Sequence, residues 1–250
     1  MLDHTFHTPL PLALEVSIPS GDIEIETVDG EETHLTVSGN EELLEEVEVR
    51  QDGNRVVVTM RSRKKMGFAF NIGSLVWGND GLRVTATVPH GADVKVKTAS
   101  ADTTVEGRAG KLDVSSASGD VRARGTVDNV NVKTVSGDVD VERVGGDLFV
   151  QSVSGDVRSG PVGGSVDTKS VSGDIRLEGV SAGDVRFTSV SGDIEIGVAA
   201  GSLLDVDAGS TSGDLSSEVP LGSEPGEGGD GPTVVLRGRT VSGDVRVFRA

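Results

Sequence analysis

The chain has 250 residues, among them 35 Gly, 8 Pro, no Cys, six Phe, one Trp and no Tyr. Gly at about one residue in seven without a three-residue period excludes collagen, and the abundant Val and Ile exclude a disordered tail. With 40 Asp and Glu against 23 Lys and Arg, the formal charge of -17 excludes nucleic acid as a partner, because phosphates need clustered cations over the contact face. The absence of Cys removes disulfides, thiolate metal sites and a Cys nucleophile together.

The first residues, MLDHTFHTPLPLALEV, have no basic start and no apolar run of signal length, and no stretch approaches the ~20 apolar residues of a membrane-spanning helix. The expectation is a cytoplasmic chain. Residues 1–60 carry fourteen acidic residues against two Arg, a net of -12. Within them Ser20-Gly21-Asp22 is followed by alternating Ile23 and Ile25, and Glu41 to Glu46 suits one helical turn. Glu48 to Met60 reads as a hairpin about Asp52-Gly53-Asn54, with Val47 and Val49 answered by Val56 and Val58. This portion is expected to be an acidic β segment, continuous with the repeats beyond it, that covers an open sheet edge.

Residues 61–81 form a basic and aromatic insert. Arg61, Arg63, Lys64 and Lys65 stand with Phe68, Phe70 and Trp77 in an otherwise acidic, ring-poor chain. Such a mixture suits an acidic membrane surface or a partner groove. The plainer alternative is a plug over the end of the β structure, its lysines answering the acidic N-terminal segment.

From residue 82 to 250 the chain repeats. Ser-Gly-Asp begins at Ser118, Ser136, Ser154 and Ser172, eighteen residues apart, with Ser-Ala-Asp at Ser100 and later copies at Ser191, Ser212 and Ser242 after intervals of 19, 21 and 30. Each unit holds two nonapeptides of the form Gly-Asp-Val-x-Val-x-x-Val-x. Val139, Val141 and Val144 fill the apolar slots of one, and Leu148, Val150 and Val153 those of the next. The third and fifth slots share one face of a strand. A nonapeptide cannot bury that face alone, so copies must stack in parallel about 4.8 Å apart. The pattern therefore predicts an all-β, single-stranded β-solenoid, a β-helix of about 18 residues per coil, with Gly at the corners. Residues 222–232, GSEPGEGGDGP, read as a mobile loop, after which Thr240 to Phe248 returns to close the far end.

Stacking lines up like residues. Asp102, Asp120, Asp138, Asp156, Asp174 and Asp193 form a column whose like charges repel by about 1 kcal/mol per neighbour in water. Calcium could compensate, with Asp120, Asp138, Asp156 and Asp174 as weak candidate ligands. The structural alternative is that each Asp accepts a backbone N–H at its turn, with Arg122, Arg158 and Arg176 two residues on sharing the face. The calcium nonapeptide places its Asp four residues after the second Gly, whereas here Asp follows Gly directly. Thr98, Ser116, Thr134, Ser152, Ser170 and Ser189 form a hydroxyl column expected to hydrogen-bond along the ladder. The four His, at 4, 7, 34 and 90, precede the array with no ligand cluster around them. No catalytic residue, cofactor site or small-molecule substrate is indicated.

The SVSGD array, the stretch VTATVPHGAD at 84–93 and the acidic strand-rich N-terminus resemble the bacterial β-strand-repeat family called the putative adhesin, or Toastrack, domain. The resemblance covers nearly the whole chain. It implies a right-handed β-solenoid, an association with envelope-stress and cell-surface systems, and no catalytic residue to carry over. The expected function is a non-enzymatic repeat scaffold or adhesin-like interaction domain, with a protein partner or self-assembly. Its alternatives are a calcium-stabilised β-roll and a peripheral membrane module using the 61–78 insert.

Overall fold

The computed structural model describes residues 1–61, 81–219 and 231–250. Ser-Gly-Asp marks the corner of each coil because Gly119, Gly137, Gly155 and Gly173 all adopt φ between 124° and 139°, where a Cβ is strained. A Cβ on Gly155 would also lie 2.3 Å from the carbonyl oxygen of Gly137 on the coil before. Gly is thus required twice over, by its own backbone and by its neighbour's.

Between corners the apolar alternation makes strands that pair in parallel with the next coil. Strand β9 (Ser100–Ser115) pairs with β10 (Val121–Lys133), with Val121 opposite Thr103 and Val132 opposite Val114. Strand β10 in turn meets β11 (Val139–Val141) and β12 (Leu148–Gln151), eighteen residues on at each position. The same offset carries through β13 (Val157–Val162), β14 (Val166–Lys169) and β15 (Ile175–Val180), and parallel pairing continues to β16 (Gly183–Ser191) and β17 (Ile194–Val198), where one inserted residue makes it nineteen. The fold is an all-β solenoid. One face carries the strands that come after each Ser-Gly-Asp, the other those of the intervening nonapeptide.

The core is a narrow stack of side chains from both faces. Val139, Val141, Val144, Leu148 and Val150 are each 1% exposed or less, and every neighbouring coil repeats the arrangement. Burying each such side chain contributes roughly 1.5 to 3 kcal/mol, which offsets the ordering of a short coil. Val153 departs from the expected pattern. It is 45% exposed, because the chain turns the corner after Ser152 and the third apolar slot of the second nonapeptide points outward.

The first strands enter the same lattice. Strand β2 (Ala13–Ser17) lies between β6 (Arg55–Met60) and β8 (Asp93–Lys97), all parallel, and β3 (Ser20–Val28) lies between β7 (Leu82–Pro89) and β9. Asp22 is level with Asp102, so the early Ser-Gly-Asp is a full member of the array. Beyond β7 lie β4 (Glu32–Ser38) and β1 (Leu2–His7), both antiparallel, and β6 is flanked by β5 (Val47–Asp52) in the expected hairpin, with Val49 opposite Val58. Helix α1 (Glu41–Glu46) starts at Asn40, whose side chain accepts the Leu43 N–H at 2.8 Å, an N-cap that satisfies one free donor.

The far end is threaded the same way. Strands β20 (Thr233–Ser242) and β21 (Val245–Arg249) do not close it, as the sequence order suggests they should. They insert between β16 and β17 on one side and β18 (Leu203–Ser212) and β19 (Leu215–Ser217) on the other. A packing requirement fits this order: Gly238 faces Phe187, and a Cβ there would lie 2.4 Å from the ring. Of the expected loop at 222–232, residues 222–230 lie outside the described residues, as do 62–80 of the insert.

Candidate interaction surface

The coils set their outward side chains in straight columns, and the chemistry of this protein is the chemistry of those columns. The Asp column is continuous. The backbone N–H of Asp120 donates to Asp102 Oδ1 at 2.9 Å, that of Asp138 to Asp120 at 3.0 Å, Asp156 to Asp138 at 2.9 Å and Asp174 to Asp156 at 3.0 Å. The ladder continues from Asp193 to Asp174 at 2.8 Å, from Asp244 to Asp193 at 2.9 Å and from Asp214 to Asp244 at 2.9 Å. Each carboxylate therefore caps the turn of the next coil and not its own, which a single repeat could not reveal.

The second oxygen is answered by Arg at alternate coils. Arg122 donates to Asp120 Oδ2 at 2.6 Å and Arg158 to Asp156 Oδ2 at 2.9 Å, whereas Arg176 turns to Glu195 on the following coil. On the last coils Arg246 donates to Glu218 at 2.5 Å, and that hydrogen bond, helped by the carboxylate's charge, raises the guanidinium pKa. For Asp120, Asp138, Asp156 and Asp174 the acceptor geometry supports the turn role. Among the described residues no group of three or more His, Asp or Glu is placed to hold a metal ion.

The hydroxyl column behaves differently from expectation. Thr98 Oγ1 accepts the Ala101 N–H at 2.9 Å and Ser189 donates to the Ser191 carbonyl at 3.2 Å. Ser116, Thr134, Ser152 and Ser170, however, bury their oxygens with no hydrogen-bond partner. They point into the coil at the corner, where the next coil offers another hydroxyl at strand spacing, too far for a hydrogen bond. The four His engage local neighbours: His4 stacks on Phe6 at 5.8 Å, His7 faces Glu31 at 4.0 Å, His34 contacts Thr5 at 3.0 Å and His90 meets Thr27 at 2.7 Å.

The face of the intervening nonapeptides sets lysines among carboxylates, and Lys111, Lys169 and Arg239 approach its own Asp113, Asp167 and Asp207 at 4.0, 3.8 and 3.1 Å. All five lysines among the described residues, Lys95, Lys97, Lys111, Lys133 and Lys169, lie on its strands, with Arg186, Arg237 and Arg239 further along. At its centre the half-buried Phe149 ring has the Lys133 ammonium 5.7 Å from its centroid and the Lys169 ammonium at 5.8 Å. Both are within cation–π range. The other face holds a shallow depression of about 310 Å³ lined by Arg122, Arg124, Arg158, Glu142 and Glu178. Its Arg122 and Arg158 are already committed to carboxylates.

Between the Asp column and the lysine-bearing face runs a ridge that the repeat pattern does not announce. Val135, Val153, Val171, Val190 and Val241 stand one per coil at 45 to 52% exposure. The signal is present in the sequence: Val stands just before the Ser-Gly-Asp copies at 136, 154, 172, 191 and 242, and outward parity results once the preceding Ser or Thr is placed inward. Of the expected contact residues, only Arg61 is described. Its Nε donates to Glu48 Oε2 at 3.0 Å, while Arg63, Lys64, Lys65, Phe68, Phe70 and Trp77 lie outside the described residues.

This combination of parallel coils, Ser-Gly-Asp corners and outward columns extends over the part of the chain that matches one known family. The sequence profile of the Toastrack DUF4097 family matches residues 12–248. The chain belongs to the Toastrack family. Solved structures similar to it include a putative adhesin from Bacteroides fragilis, 13% identical, covering 98% of this chain and 96% of that one with a TM-score of 0.56. A putative adhesin from Parabacteroides distasonis is 13% identical with coverage of 98% and 96% and a TM-score of 0.53. Another from Parabacteroides merdae is 12% identical, with 98% and 95% covered and a TM-score of 0.51. At these identities the likeness establishes the fold alone. No curated protein matches the chain.

Proposed function

We propose that this Toastrack protein is a non-enzymatic scaffold that holds a protein partner, or further copies of itself, on its repeat surface. The observation that carries this reading is the clustering of lysine: a chain of net charge -17 gathers every described lysine onto one sheet face, two of them around Phe149. That face is flat and fixed by the coil register, and it suits an acidic protein surface. Charges at fixed spacing select a partner and its orientation more than they add raw affinity. The adhesin names of the similar structures agree with an interaction role, and an association with envelope-stress or cell-surface systems is part of this proposal.

The test is comparative capture. Immobilised protein and a variant carrying Lys133→Gln, Phe149→Ser and Lys169→Gln are exposed to the same cell extract and crosslinked. A species retained by the unaltered protein and lost by the variant supports the scaffold reading. Identical profiles from the two, with circular dichroism showing both folded, would overturn the role of this face.

A further inference from the structure

We propose that the valine ridge is the interface of a parallel, two-fold symmetric dimer of this chain. The inference deepens the scaffold reading and rests on it, naming a second copy as the partner. The ridge consists of five half-exposed valines, Val135, Val153, Val171, Val190 and Val241, on five successive coils. An apolar stripe of this kind on an otherwise charged surface marks a contact site. The occupant is decided by what flanks it.

Around the perimeter of a coil, the column just before the ridge reads Lys97, Ser115, Lys133, Gln151, Lys169, Thr188 and Arg239, so a cation appears at every second coil. The column just after the ridge is the Asp ladder. Asp120 and Asp156, on the coils of Ser115 and Gln151, have their own Arg partners, Arg122 and Arg158. Asp102, Asp138, Asp174 and Asp244, on the coils of Lys97, Lys133, Lys169 and Arg239, have no cation partner among the described residues. A carboxylate without a cation partner thus shares its coil with a cation on the opposite side of the ridge; Lys133 has no carboxylate partner among the described residues, while Lys169 and Arg239 also reach Asp167 at 3.8 Å and Asp207 at 3.1 Å on the exposed surface, pairs that the dimer would share or exchange. Asp193 is the exception, since Thr188 shares its coil.

Ridge-to-ridge contact allows two symmetric arrangements. A two-fold axis parallel to the solenoid keeps each coil level with its counterpart and swings the cation column of one copy onto the Asp column of the other. Lys133 then faces Asp138, Lys169 faces Asp174 and Arg239 faces Asp244, each the carboxylate left unpaired within its own chain. A perpendicular two-fold axis would set cation against cation and carboxylate against carboxylate, which is repulsive. The charge pattern selects the parallel dimer. Five half-exposed valines cover a few hundred Å² at most, below the roughly 800 Å² per partner of a standard interface, so the dimer forms at high protein concentration and weakens with salt.

The chain has no Cys, so single cysteines report the geometry directly. Sedimentation over rising concentration is expected to show a monomer–dimer equilibrium, with Lys133→Glu plus Lys169→Glu weakening it roughly tenfold. Under oxidation, Val135→Cys, Val171→Cys and Val241→Cys are each expected to give a disulfide dimer, because every coil faces itself. Crosslinking of Val171→Cys alone would mean an antiparallel pair and overturn the proposal. So would a monomer at every concentration with no crosslink. That last result leaves the scaffold reading standing if the Lys133, Phe149 and Lys169 variant still loses a captured partner.

Discussion

Replacing Asp156 by Ala and by Asn separates the two things its carboxylate does. Oδ1 accepts the Asp174 N–H at 3.0 Å, and Oδ2 accepts from Arg158 at 2.9 Å on the exposed surface. Asp156→Ala removes the acceptor from a turn N–H, a charge-assisted bond that contributes about 1 to 2 kcal/mol when discounted for exposure. The surface ion pair adds about 0 to 1 kcal/mol. Asp156→Asn keeps an acceptor oxygen and deletes a charge that stands roughly 4.8 Å from its neighbours in the column, each repelling by about 1 kcal/mol before screening. The expectation is that Ala loses about 1 to 3 kcal/mol in urea unfolding, while Asn stays within about 0.5 kcal/mol of the unaltered protein. At low salt Asn gains, because repulsion along the column is then least screened. Equal losses for Ala and Asn would refute the ladder, since they would show that the charge matters and the acceptor does not.

Other substitutions probe the same lattice. Gly155→Ala combines a φ of 125° with a Cβ 2.3 Å from the Gly137 oxygen, and is expected to cost at least about 3 kcal/mol in chemical denaturation. Ser152→Ala and Thr134→Val, which delete hydroxyls buried without partners, should be neutral or raise the Tm, in contrast to the ordinary loss on truncating a buried residue. Gly238→Val should destabilise through the Phe187 ring, and Phe187→Ala in the same chain should recover part of the loss, which thermal unfolding of the double variant will show. Adding a calcium chelator should leave Tm and circular dichroism unchanged, because the Asp oxygens already hold backbone N–H groups.

Much of this architecture is written locally. Ser118, Ser136, Ser154 and Ser172 announce the coil length, and Gly137 with Val139 and Val141 gives corner, strand and inward face in one nonapeptide. The Asp column is legible as a stack, and its acceptor role is legible from the turn, but which N–H it captures depends on the next coil and lies beyond any one repeat. Val153 reads as core because Leu148, Val150 and Val153 look alike as apolar slots; only the inward turn of Ser152 reverses the parity. The same corner strands the Ser152 hydroxyl, whose neighbours are too far to bond. Strand order at the far end is illegible for another reason. Residues 203–217 and 233–249 carry equivalent motifs, and the fit of Phe187 over Gly238 helps distinguish them.

That threading also offers the most direct test of the central claim, that coils stack in parallel with 233–249 inserted between its sequence neighbours. Val190 pairs in register beside Val241, which in turn lies beside Thr211, so Val190 and Thr211 are two coils apart. In dilute protein, the pair Val190→Cys and Val241→Cys is expected to close an intramolecular disulfide, since adjacent strands fall within disulfide reach. The pair Val190→Cys and Thr211→Cys should stay reduced, at about 9.6 Å. Closure of the Val190 and Thr211 pair, with none between 190 and 241, would contradict the fold described here.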